Sequence, residues 1–97
     1  MRSVAIVHHR VADFDRWKAF YDTVLEMQRR GGVRQQAVLR PSDDPTMVVV
    51  VHTFDSAEAA HAFFADNPDL QDAMRKAGVD TSSIRLEILT EVSAGAV

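Results

Sequence analysis

The chain has 97 residues, no cysteine, 11 Lys and Arg against 14 Asp and Glu, and a formal net charge of −3. That length suits one domain, spanning residues 1–97, with a core of its own, and the lack of cysteine excludes a disulfide framework, a thiolate nucleophile and any Cys-based metal or cluster site. There is no basic excess to neutralise phosphates, no apolar run reaches the ~18 residues of a membrane span, and no signal-peptide pattern opens the chain, so the expectation is a cytoplasmic protein with neither nucleic acid nor membrane as partner.

Val4 to Val11 reads as a buried strand that turns through Ala12-Asp13 into an amphipathic helix. Phe14, Trp17, Phe20, Tyr21, Val24 and Gln28 fall on one side of that helix, while Asp15, Lys18, Asp22, Glu26 and Arg29 fall on the other. Asp13 is placed to cap it and Gly31-Gly32 to end it, which predicts one helix from about Phe14 to Arg30, with Glu26 and Arg30 as a surface pair. Val33 to Arg40 reads as the second strand. Pro41-Ser42-Asp43-Asp44-Pro45 combines two prolines with turn-forming acids and reads as a hairpin loop.

The third strand, Thr46 to Phe54, contains four successive valines, a continuous apolarity that suits a strand covered on both faces. Asp55 and Glu58 have capping-box spacing, with Asp55 as the cap of a helix that turns Ala57, Ala60 and Phe64 inward and leaves His61 and Phe63 at its flanks. Asn67-Pro68 interrupts this helix and starts the next, because proline is tolerated at the first helical position behind an asparagine cap. Pro68 to Ala77 offers Leu70, Met74 and Ala77 to the core and Asp72 to Lys76 as an i,i+4 pair, and Gly78 terminates it. The last strand, Ser83 to Val92, alternates Ile84, Leu86 and Ile88 with Arg85, Glu87 and Glu91, and a loose tail follows from Ser93 to Val97.

The order β-α-β-β-α-β is that of the ferredoxin-like split βαβ motif, an α+β fold. It predicts a four-stranded antiparallel sheet, order 4-1-3-2, with two helical segments on one face. The helices cover one face only, yet the third strand is apolar on both. Sheet-to-sheet packing of a homodimer is the simplest way to cover the other face.

The stretches Ala5-Ile6-Val7-His8-His9-Arg10-Val11, Asp13-Phe14-Asp15-Arg16-Trp17, Gly31-Gly32-Val33, Asp43-Asp44-Pro45 and Phe54-Asp55-Ser56-Ala57-Glu58-Ala59 resemble the dimeric α+β barrel superfamily. Within it they are most similar to antibiotic-biosynthesis-monooxygenase-like domains. The resemblance covers about Val4 to Val92 and implies a ligand cleft between the helices and the sheet of each subunit. It also implies activities that range from cofactor-independent oxygenases of polycyclic phenols through lactone isomerases and polyketide cyclases to haem-degrading oxygenases. The asparagine, tryptophan and histidine that haem-degrading relatives use fall here on Val7, near Phe63 and near Met74. Haem degradation is therefore not expected, and no cofactor is.

His8 and His9 are neighbours on a strand and point to opposite faces. Ala5, Val7, His9 and Val11 form an otherwise apolar set, which assigns His9 to the helix side and His8, with Arg10, to the dimer side. His52 should lie opposite Ala5, ~14 Å along the sheet from His9, too far for shared metal ligation, and His61 has no i,i+4 partner, so no metal site is expected. His9 reads either as a catalytic general base or hydrogen-bonding group in an apolar cleft, or as a core histidine bonded to a backbone carbonyl. Trp17, Tyr21, His52 and Phe64 are the substrate-binding candidates for a small aromatic ligand, the alternative being plain core, and a buried Tyr21 needs a partner for its hydroxyl. Arg34 and Arg40 share a face of the second strand and would either anchor an anion or simply be solvated.

These readings lead to a cofactor-independent monooxygenase or cyclase acting on an aromatic, polyketide-like substrate, with a non-catalytic ligand-binding or structural homodimer as the alternative. A ferredoxin-like RNA-binding domain is excluded, because the sheet lacks exposed aromatics and the surface lacks basic excess.

Overall fold

A computed structural model of the chain describes all of residues 1–97. Four strands, β1 (Ser3–Val11), β2 (Gln35–Leu39), β3 (Met47–Phe54) and β4 (Val79–Thr90), form one antiparallel sheet in the order β2-β3-β1-β4. This is the expected ferredoxin-like order. The helices are α1 (Phe14–Tyr21), α2 (Leu25–Arg30), α3 (Ala57–Phe64) and α4 (Pro68–Lys76). None is long and apolar enough to cross a membrane.

The single helix expected from Phe14 to Arg30 is two. Thr23 and Val24 donate their backbone N–H groups to Phe20 and Tyr21, three residues back, at 2.9 and 3.1 Å, and the Thr23 hydroxyl donates to the Phe20 carbonyl at 2.6 Å. This tightened turn and the competing hydroxyl end α1 without a glycine or proline. Glu26 pairs with Arg29 rather than Arg30, the Arg29 Nε lying 2.9 Å from its carboxylate. The cap of α3 is Ser56, whose hydroxyl accepts the Ala59 N–H at 3.1 Å, and not Asp55, which instead pairs with Arg34 at 2.9 Å. Asp13 and Asn67 cap α1 and α4 as expected, and Asn67 also donates to the Phe63 carbonyl at 2.9 Å, fastening α4 to the end of α3. The Asp72–Lys76 pair forms at 2.9 Å.

The longest strand, β4, begins four residues earlier than the alternation suggests, because it bulges. Between the pairs His8–Arg85 and Arg10–Asp80, one residue of β1 faces four of β4. The Ser83 hydroxyl accepts the Arg10 N–H that the interrupted ladder leaves over, at 2.8 Å, and donates to the Asp80 carbonyl at 2.6 Å. A bulge destroys the period-two signal locally, so the sequence shows the strand only after it.

Register places Ser3, Ala5, Val7, His9 and Val11 of β1 and Val48, Val50, His52 and Phe54 of β3 beneath the helices, and all nine are buried. The core forms two clusters on this side. One is centred on Trp17, Tyr21, Val48 and Val50, the other on Phe54, Ala60 and Phe63. Phe63, expected at a flank of α3, is buried, and Phe64 is half-buried. The opposite face of the sheet carries Val4, Ile6, Val49 and Val51, with Leu39 at 53% and Leu89 at 44% exposure toward its margins. His8 lies on this open face beside Arg85.

Gly31 sets the distance between α2 and α3. A Cβ there would stand 2.6 and 2.7 Å from two carbons of the Phe63 ring. Gly31→Ala should therefore destabilise the fold by about 1–3 kcal/mol, the range for overpacking a filled core. Urea denaturation of the variant, and of Gly31→Ala combined with Phe63→Leu, tests this: the smaller side chain should recover part of the loss, and simple additivity would contradict the contact.

Candidate active site

Between the sheet and the helices lies a cavity of about 60 Å³. Val7, His9, Val50 and His52 form its floor, α1 contributes Trp17, Phe20 and Tyr21, and α2 contributes Met27 and Gln28. Phe64 of α3 and Leu70, Ala73 and Met74 of α4 complete it. The five residues singled out from sequence, His9, Trp17, Tyr21, His52 and Phe64, thus line one space. His8 is on the other side of the sheet and His61 on the exposed surface of α3.

An aromatic stack runs along the cavity. The His9 ring lies 5.6 Å from that of Trp17, which stacks on Tyr21 at 4.8 Å, and His52 stacks on Phe64 at 6.2 Å. His9 is 4% exposed, and neither of its ring nitrogens has a hydrogen-bond partner within the protein. The core-histidine alternative, with a nitrogen on a backbone carbonyl, is therefore not what the structure shows.

At the other end the Tyr21 hydroxyl is shared. Gln36 Oε1 lies 2.9 Å away, His52 Nε2 3.3 Å and Gln28 Oε1 3.5 Å. A hydroxyl has one proton to donate, and the shortest contact assigns it to Gln36. His52 then donates from Nε2 to the tyrosine oxygen, and its Nδ1 is left as a buried acceptor without a partner. Gln28 and Gln36 were not among the expected site residues. The signal for Gln28 was present: it falls in phase with the apolar stripe of the helix, and a buried amide there needs a polar neighbour.

Burial holds His52 neutral, lowering its pKa to about 4. His9 is lowered to about 4 as well, by burial first and by the charge of His8 second. Burial pushes the Tyr21 hydroxyl up to about 12, against the opposing effect of the nearby Gln28 amide. At neutral pH the three titratable groups of the cavity therefore carry no charge. No three His, Asp or Glu side chains converge on a common point. The two arginines that flank β2 do not act together either: Arg34 is paired with Asp55, and Arg40 lies over the Phe14 ring at 4.1 Å.

No protein-family model matches the sequence, and no curated protein does. Solved structures share the fold. SnoaB, a cofactor-independent oxygenase from Streptomyces nogalater, matches with a TM-score of 0.76 at 12% identity, over 96% of this chain and 95% of its own. A monooxygenase from the gene ActVA-Orf6 of Streptomyces coelicolor, in complex with the ligand Nanaomycin D, matches at 0.69 and 19% identity, over 98% of this chain and 91% of its own. Rv0793 from Mycobacterium tuberculosis matches at 0.70 and 15% identity, over 99% and 100%. The chain thus has the ferredoxin-like fold of antibiotic-biosynthesis-monooxygenase-like structures, as the sequence resemblance implied.

The two buried histidines make stability depend on pH. Unfolded histidine titrates near 6.5, and the folded rings at about 4. Between these values the unfolded state binds more protons, so stability is full above about pH 6.5 and falls as pH drops toward 4, by about 3 kcal/mol per histidine. Urea denaturation followed by the fluorescence of Trp17, the only tryptophan, should show this slope, and His9→Leu and His52→Leu should each remove about half of it. A slope unchanged in both variants would count against the assignment.

Proposed function

We propose that the cavity is the site of a cofactor-independent monooxygenase or cyclase that takes an aromatic, polyketide-like substrate, with His9 as its hydrogen-bonding and proton-handling group. The observation that carries this reading is the His9 ring, buried and unpartnered within an otherwise apolar and aromatic space. An apolar pocket with a few placed polar groups suits a planar, oxygen-bearing ligand. The functions of SnoaB, an oxygenase, and of the ActVA-Orf6 protein, a monooxygenase, support the same class of chemistry.

A phenol or enol hydroxyl would donate to the free nitrogen of neutral His9. Buried among apolar side chains His9 is a weak base, but the phenolate forming beside it favours imidazolium and restores its basicity as the proton moves. The electron-rich ring, flanked by Trp17 and Tyr21, then reacts with dioxygen at an activated CH2. One oxygen atom becomes the new carbonyl, the other leaves as water with the two hydrogens of that carbon, and dioxygen is the oxidant reduced. Without dioxygen, a carbanion formed by loss of a C–H proton to His9 would instead add to a carbonyl carbon of the same substrate, closing a ring as the C=O π bond breaks and its oxygen takes the proton back. The low basicity that burial gives His9 is what would support the alternative, a binding protein without turnover.

The chain would act as a homodimer. Val4, Ile6, Val49 and Val51, with Leu39 and Leu89, make the open face of the sheet an apolar surface of the kind that marks interfaces. The cytoplasm is the proposed location.

Dioxygen uptake and the absorbance change of an anthrone decide between turnover and binding. His9→Ala should lower kcat by at least about 100-fold, the usual contribution of a positioned acid–base group. No turnover across a panel of phenols would leave the binding reading, and turnover indifferent to His9→Ala would remove that residue from the mechanism. Sedimentation should give the mass of two chains at tens of micromolar, and a monomer there would refute the sheet-to-sheet dimer.

A further inference from the structure

The inner cavity is too small for the ligand that its lining suits. At about 60 Å³ it falls well below the roughly 150 Å³ that holds one benzene, so an aromatic ring enters only if a wall moves. Most of the wall is apolar, and on the α4 side it is only half-buried, for that helix has no fully buried residue. One part is polar: Gln28 lines the cavity on one side and, on the other, a surface groove of about 300 Å³ between α2 and β2. Gln36 belongs to the groove and Tyr21 to the cavity, and they meet through the 2.9 Å bond of the tyrosine hydroxyl. The partition is thus three polar side chains, and Gln28 is the least tied of them: its Oε1 lies 3.5 Å from the Tyr21 hydroxyl, whose one proton goes to Gln36. A ligand oxygen can replace amide and hydroxyl contacts of this sort, whereas it could replace none in a wall of leucines.

The groove differs in character from the cavity. Arg29, Arg34, Gln28, Gln35 and Gln36 line it together with Leu25 and Val33, and no Asp or Glu does. The two arginines are held away by Glu26 and Asp55, but in exposed pairs worth at most about 1 kcal/mol each, which a carboxylate in the groove can displace.

We propose that cavity and groove are two compartments of one site for an aromatic carboxylic acid: the ring enters between Trp17, Tyr21 and Phe64, the carboxylate stays in the groove beside Arg29 and Arg34, and Gln28 is the side chain that swings aside to join them. This rests on the cavity being the ligand site. The carboxylate never crosses into the neutral interior, so the acid pays no desolvation of its charge there.

Quenching of Trp17 by para-nitrocinnamate and by its uncharged isostere para-nitrocinnamamide, at low salt and pH 7, tests the proposal. The acid should bind about fivefold more tightly than the amide, and Arg29→Ala with Arg34→Ala should abolish the difference by weakening the acid alone. In stopped flow, Gln28→Ala should speed association about tenfold by opening the partition, while Gln28→Met, which keeps its bulk, should stay within about twofold of wild type. Equal binding of acid and amide, an effect of the arginine variants on both ligands alike, or no difference in rate between Gln28→Ala and Gln28→Met would overturn the two-compartment site and leave the cavity reading standing. If neither ligand quenches Trp17, the cavity reading fails and this inference with it.

Discussion

Strand β1 has a hydrogen-bonded neighbour on each edge, β3 on one side and β4 on the other. Its backbone groups are committed, and its side chains have only the two faces of the sheet to go to. A slip by one residue would send Val4, Ile6, His8 and Arg10 beneath the helices, and a guanidinium there would lack any partner. The register is also fastened at its ends. The Ser3 hydroxyl donates to the Leu89 carbonyl at 2.9 Å, and Arg10 reaches Asp44 at 2.9 Å and Thr46 at 3.0 Å. His9 is buried because of this register, not because its surroundings suit it, which is why its two nitrogens are left without partners.

The second polar locus has the opposite origin. The Tyr21 oxygen is where α1, α2, β2 and β3 meet, through Gln28, Gln36 and His52. Burying one of these side chains alone would be unfavourable, but the four satisfy much of one another's demand, and the tyrosine can keep its single proton on a glutamine while receiving another from His52. The two ends of the cavity differ accordingly: one presents a free donor and acceptor, the other a network that a ligand would have to exchange with. Because burial holds both imidazoles neutral and the phenol protonated, neither end brings charge into the interior.

The architecture was legible in the sequence where local physics and tertiary need agree. The alternation of β1, the proline behind the Asn67 cap and the valine run of β3 each have one sensible reading, and together they give the strand order and the pairing of Ala5 with His52. The break after Tyr21 was not legible, since the apolar stripe stays in phase through Val24 and Gln28, and the Thr23 hydroxyl that ends the helix is unremarkable on a wheel. The choice of Ser56 over Asp55 as cap was hidden for another reason: a distant arginine, Arg34, competes for the acid. In the site, period-two and helical patterns identify which residues face inward, and so brought His9, Trp17, Tyr21, His52 and Phe64 to one side. They do not say which polar groups will meet, and Gln36, on an edge strand with mostly exposed neighbours, carries no mark of its contact with Tyr21.

Where the cavity opens is constrained by the same topology. At its His9 end the walls are β1, paired on both edges, and Trp17, stacked between His9 and Tyr21. Displacing either would disrupt the main core cluster. At the Gln28 end the walls are α2, one and a half turns long, and β2, five residues at the edge of the sheet with pairing on one side only. Short elements with few buried apolar contacts sit at the low end of local stability, so movement there costs less than displacing β1 or Trp17. The polar partition lies on the part of the fold that can yield, and the unpartnered histidine on the part that cannot. A ligand entering past Gln28 would therefore move toward a fixed His9, which is the arrangement a proton-transferring group requires, since its geometry must not change with the door.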